Sequence, residues 1–128
     1  MQTEKISVVV DDMFFAAKIN AAAQTAGRAV ERLRSREQLE ALAAAPPQLV
    51  IVDLKAERLD PLEAIEFLKS QSALQLIPIV AFVSHVDTEA IRRARAAGCD
   101  VVLPRSAFNQ MLPDIVAGRL DQQARRAD

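Results

Sequence analysis

The run Leu49-Val50-Ile51-Val52-Asp53 decides the fold of this chain. Four apolar, mostly β-branched residues without polar alternation read as a strand buried on both faces, the kind found inside a parallel sheet. The run closes in a carboxylate. An earlier run, Ile6-Ser7-Val8-Val9-Val10, closes in the acidic pair Asp11-Asp12. In an open α/β sheet the carboxyl ends of the strands gather at one edge, and such folds place their sites there. Three acids at one edge suit a hard cation, and a carboxylate beside a cation can act as a nucleophile toward phosphorus.

Working outward, the chain alternates regularly. A strand over Lys5–Val10 is followed by a helix over Met13–Ala26, with Phe15, Ile19, Ala22, Ala23 and Ala26 along one face and Gly27 as its stop. Arg28–Arg34 alternates weakly and reads as an edge strand. Ser35 and Gln38 form a capping box for a helix through Ala45, which Pro46-Pro47 ends. After the central strand, Asp60 caps a helix that begins with Pro61 and runs to about Ser70.

The second half repeats the rhythm. Ile77–Phe82 reads as a buried-type strand interrupted only by Pro78 near its beginning, which an outer position tolerates. Asp87 caps a helix through about Ala97, ended by Gly98, and Val101–Leu103 is a short last strand. Ser106 opens a final helix carrying Phe108, Met111, Leu112, Ile115 and Val116 on one stripe, with a kink or fresh start expected at Pro113. Five strands alternating with five helices imply a parallel sheet covered on both faces. Residues 1–128 read as one domain, with a polar tail from about residue 121.

Composition excludes several classes of function. A chain of 128 residues is one domain by length and can bury a core without staples. A net charge of −1 gives no general attraction to nucleic acid or anionic membrane, and neither is expected as a partner. Cys99 is the only cysteine, so an internal disulfide and a cysteine-rich metal site are excluded. The amino terminus lacks the pattern of a signal peptide and no apolar run has membrane-spanning length, so a cytoplasmic protein is expected.

This order of elements, with these acids, resembles the response-regulator receiver domain of two-component signalling over essentially the whole chain. Asp11 and Asp12 fall at the family's metal-binding acidic pair, Asp53 at the phosphoacceptor, and Ser84 at the hydroxyl residue that ends the fourth strand. The resemblance implies a flavodoxin-like, doubly wound, five-stranded sheet of order 2-1-3-4-5. It implies phosphoryl transfer to Asp53 from a histidine kinase or phosphotransfer protein, with Ser84 hydrogen-bonding a phosphoryl oxygen. Magnesium is the implied cofactor, held by Asp11, Asp12, Asp53 and the backbone carbonyl of Lys55. Output would pass to a downstream protein target, with a homodimer possible through the fourth helix, fifth strand and fifth helix. Residues expected on that face are Ile91, Arg92, Arg95, Phe108 and Met111.

The chain departs from the family in several places. Leu103, before Pro104, stands where the family has a lysine that pairs with the acceptor and then with the phosphoryl oxygens. Lys55 and Arg105 are the nearest cations by sequence. Arg105 is two residues on, hence on the same side of an extended chain, and Lys55 is placed to put its amine among the acids. The loop Lys55-Ala56-Glu57-Arg58-Leu59-Asp60-Pro61 is more charged than the family's. His85 replaces a small residue beside the acceptor, and Asp100 lies near where a switching Tyr or Phe is usual; the chain has no Tyr or Trp.

Each residue has a plainer reading. Asp11 and Asp12 can cap the first helix, Asp53 can be a remnant hydrogen-bonded to a loop, Ser84 a strand-end hydroxyl, His85 an exposed loop residue and Cys99 a small buried hydrophobe. Three functions therefore stand open. The first is a stand-alone receiver phosphorylated on Asp53, and the second a pseudo-receiver working only as an interaction module. The third, an aspartate-nucleophile phosphohydrolase, lacks an acid two residues after Asp53 and a cap domain, so an enzyme is not expected.

Overall fold

The computed structural model describes residues 5–84 and 87–120. The polar tail expected from about residue 121, and His85, fall outside the described residues. The elements are β1 (Lys5–Val9), α1 (Met13–Thr25), β2 (Ala29–Arg32), α2 (Arg36–Ala41, extended by a 3-10 turn, Leu42–Ala44), β3 (Leu49–Asp53), α3 (Pro61–Ser70), β4 (Ile79–Val83), α4 (Thr88–Ala96), β5 (Val101–Pro104) and α5 (Arg105–Val116). They form one five-stranded parallel sheet of order β2-β1-β3-β4-β5, the order the resemblance implied.

Period-two alternation along the strands divides the core into two halves. Ile6, Val8, Leu49, Ile51, Val80, Phe82, Val101 and Leu103 point to the side covered by α1 and α5. Val9, Val50, Val52, Ile79, Ala81 and Val102 point to the side covered by α2, α3 and α4. Asp53 shares the parity of Leu49 and Ile51, so its side chain leaves the sheet on the α1–α5 side. Phe15, Phe82 and Phe108 stack there, with ring centroids 4.6 to 5.7 Å apart.

The caps read from the sequence form as hydrogen bonds. Ser35 Oγ accepts from Gln38 N at 3.2 Å, while Gln38 Oε1 accepts from Arg34 N. Asp60 Oδ1 accepts from Leu62 N at 2.9 Å and Glu63 N at 3.2 Å, and Asp87 Oδ1 accepts from Ala90 N at 3.0 Å.

Three expectations need correction. Pro78 does not mark an outer strand: β4 lies between β3 and β5, and Pro78 precedes it. Its missing N–H is therefore not required, while its carbonyl accepts from Val50 N at 3.0 Å. Of the two outcomes expected at Pro113, the fresh start does not occur: Pro113 sits inside one continuous helix, α5. Leu112, Ile115 and Val116 are buried on both sides of the proline, and that packing outweighs the single lost backbone bond. Phe108 is no surface residue but fully buried in the aromatic cluster.

Candidate functional site at the carboxyl edge

The carboxyl ends of β1, β3 and β4 bring Asp11, Asp12, Asp53 and Ser84 to one edge of the sheet. Asp53 is the last residue of β3 and only 6% exposed, one of two buried polar residues among those described. The chain turns tightly behind it. Lys55 N donates to Asp53 Oδ1 at 2.9 Å, and Ala56 N donates to the Asp53 carbonyl at 3.0 Å.

The other carboxylate oxygen faces a cation. Arg105 Nη2 lies 3.8 Å from Asp53 Oδ2. The guanidinium rests on two aromatic faces, 4.6 Å from the Phe15 centroid and 5.6 Å from that of Phe82. Strand register explains the arrangement. Asp53 pairs with Phe82 and Phe82 with Leu103, so all three project from the same side in a row across the sheet. Phe82 fills the space between Asp53 and Leu103. Two residues past Leu103, Arg105 opens α5 on that same side and reaches back over the rings to the acid.

Burial is the main cause holding the Asp53 carboxyl above its ordinary value of 3.8, and repulsion from Asp11 and Asp12 adds to it. The Lys55 N–H and the Arg105 guanidinium oppose the rise without cancelling it.

The remaining acids are committed to backbone. Asp11 Oδ2 accepts from Glu57 N at 2.6 Å and Arg58 N at 3.3 Å, tying the loop after β3 to the end of β1. Asp12 is the N-cap of α1, its Oδ1 accepting from Phe15 N at 3.1 Å. The plainer reading of Asp12 as a helix cap is thus realised. The acids are near enough to repel Asp53, yet they do not assemble: no group of three His, Cys, Asp or Glu side chains among the described residues is placed to hold a metal ion. Repulsion acts over several ångströms, whereas metal ligation needs oxygens about 2 Å from one point, so the direct geometry decides the fit. In kind these oxygens suit a hard cation, but no three of the described acidic side chains converge on one point.

Lys55 is not among the acids. Its amine pairs with Asp87 Oδ2 at 3.1 Å, away toward the N-terminus of α4. Of the two cations considered, Arg105 faces Asp53. Ser84 is exposed at the end of β4 and adjoins the undescribed pair 85–86. Asp100 lies at the opposite edge of the sheet, before β5, where its Oδ2 accepts from Ile79 N at 2.8 Å and pairs with Lys69 at 3.0 Å. It holds the start of β4 and takes no part in the site. Cys99 is buried, its thiol donating to backbone carbonyls.

One site residue escaped the sequence reading. Arg32, the last residue of β2, pairs in register with Val8, and its Nη2 donates to the carbonyls of Val10 at 2.8 Å and Asp11 at 3.2 Å. Strand order alone would have flagged it, because a residue ending β2 must lie beside the end of β1.

No family model and no curated protein matches the sequence. Solved structures do match. The chemotaxis response regulator CheY4 of Vibrio cholerae is 21% identical, with a TM-score of 0.77 over 93% of this chain and 100% of that one. The phosphorylated cyanobacterial phytochrome response regulator RcpA is 24% identical, with a TM-score of 0.73 over 91% of this chain and 90% of that one. The manganese-bound form of the response regulator Rcp1 is 18% identical, with a TM-score of 0.71 over 94% of both chains. This chain has the receiver-domain fold. The likeness is one of architecture, and it sets Asp53 at the end of the central strand of a receiver sheet.

Proposed function

We propose that this chain is a receiver-type signalling protein in which Asp53 accepts a phosphoryl group from a histidine kinase or phosphotransfer protein, and a downstream protein reads the change. The observation that carries this reading is the Arg105–Asp53 ion pair. The chain lacks the family's lysine at Leu103, and Arg105 supplies a cation at the acceptor by another route. In the transfer, an Asp53 oxygen forms a bond to phosphorus while the bond from phosphorus to the donor imidazole nitrogen breaks. The electron pair leaves with that nitrogen. Charge spreads over the equatorial phosphoryl oxygens, and a planar guanidinium is well suited to meet it.

In this reading Ser84, exposed at the end of β4, hydrogen-bonds a phosphoryl oxygen. The protein is an acceptor rather than a turnover enzyme and works in the cytoplasm; no described helix is long and apolar enough to cross a membrane. Partner contact, homodimerisation included, falls on the face made by α4, β5 and α5, where Arg92 and Arg95 are exposed and Ile91 and Met111 half-buried.

A second reading, an interaction module that works without phosphotransfer, is favoured by the burial of Asp53 and the rise it causes in the carboxyl's proton affinity. Incubation with acetyl phosphate followed by intact-mass spectrometry separates the two. A gain of one phosphoryl mass that disappears in Asp53→Asn supports phosphoacceptance. No gain, with the protein folded, leaves the interaction module.

A further inference from the structure

We infer that the positive charge serving the acid edge is carried by this chain's own arginines, Arg105 on Asp53 and Arg32 on the end of β1, and that no divalent cation resides there. The inference goes beyond the phosphoacceptor reading and holds whether or not Asp53 is phosphorylated.

Four observations carry it. One oxygen of Asp11 is turned onto the Glu57 and Arg58 amides and one oxygen of Asp12 caps α1, so each expected ligand is already held in part by backbone. The Asp53 oxygen that is not held by Lys55 N already faces Arg105. That guanidinium is seated on Phe15 and Phe82, and it cannot lose its proton to make way for a metal. Arg32 sets a second guanidinium on the carbonyls of Val10 and Asp11, adding positive charge where a divalent cation would have to approach. A cation bound to Asp53 would therefore have to approach against two arginines and share carboxylates that already hold a helix cap and a loop.

The test is metal binding, measured apart from phosphorylation. Thermal unfolding of the wild type in about 10 mM magnesium and in chelator should give the same Tm, since a ligand that binds only the folded state raises it. Manganese should leave the amide resonances of residues 10–13 and 53–58 unbroadened. A magnesium-dependent rise in wild-type Tm, or selective broadening by manganese at those residues, would overturn the inference. Replacing both arginines (Arg32→Gln with Arg105→Gln) leaves the acids without counter-charge, so a Tm rise with magnesium should appear in that variant. Indifference of the folded double variant would refute the arginines' role. Should it not fold, the manganese measurement on the wild type still decides.

Discussion

Arg105 faces Asp53 across the end of the sheet, Nη2 to Oδ2 at 3.8 Å, with its guanidinium laid over the rings of Phe15 and Phe82. The aromatic seat ties the charge at the site to the packing of α1, β4 and α5. A lysine at the position of Leu103 would have reached the acid from the strand; here the reach starts at the first residue of a helix. The pair is half-buried, so screening is weaker than for the exposed ion pairs on this molecule, such as Arg36–Glu40.

Asp53→Asn should stabilise the protein at neutral pH. The folded-state carboxyl is held above its ordinary value of 3.8, chiefly by burial, so ionised Asp53 is a net cost of folding. As pH falls through the raised value the folded protein takes up its proton before the unfolded chain does, and the cost is relieved; below the ordinary value relief is complete. Denaturant unfolding should show Asn above Asp at pH 7, with the gap closing as the pH is lowered toward 3.8. A gap that widens on acidification contradicts this.

Asp11→Ala should loosen the loop after β3. Two backbone N–H groups, of Glu57 and Arg58, lose their acceptor. Both lie where water can replace the carboxylate, so the expected loss of global stability is modest, about 1 kcal/mol. Hydrogen exchange at Glu57 and Arg58 should quicken well before that of β3. Unchanged exchange there would mean the carboxylate does not hold the loop.

Asp100→Ala should destabilise the fold by about 1–2 kcal/mol, mostly from the unsatisfied Ile79 N–H. The half-exposed Lys69 pair adds little. Chemical denaturation measures the loss. Because Asp100 lies at the far edge of the sheet, the proton affinity of Asp53 should not move in this variant.

The sheet was legible in the sequence because β3 and β4 are near-continuous apolar runs and β1, after its first residue, is interrupted only by Ser7, the pattern of strands that lie between other strands. Strand β2 was harder to read: its residues are exposed or half-buried, and its length shrank to Ala29–Arg32. The acids were placed at the correct edge, since a strand's end fixes its neighbourhood. Their hydrogen bonds were not legible. Whether Asp11 turns to a cation or to the Glu57 amide depends on the path of a loop, and loops carry no periodic signal. Parity pointed to Arg105, although parity is a property of strands and Arg105 lies beyond the strand end. It held because β5 runs to Pro104 and α5 begins at the very next residue. Lys55 went the other way because Asp87, far off in sequence, caps α4 within reach of its amine.

The most direct test of the account is the proton affinity of Asp53 itself, followed by carbon-13 NMR of its carboxyl in the wild type and in Arg105→Gln. Arg105 is assigned as the cation that partly offsets the cost of burying this acid, so the wild-type value should lie above 3.8 and the variant's higher still. A variant whose Asp53 titrates as in the wild type, or more acidically, would contradict the pairing on which the reading of the site depends.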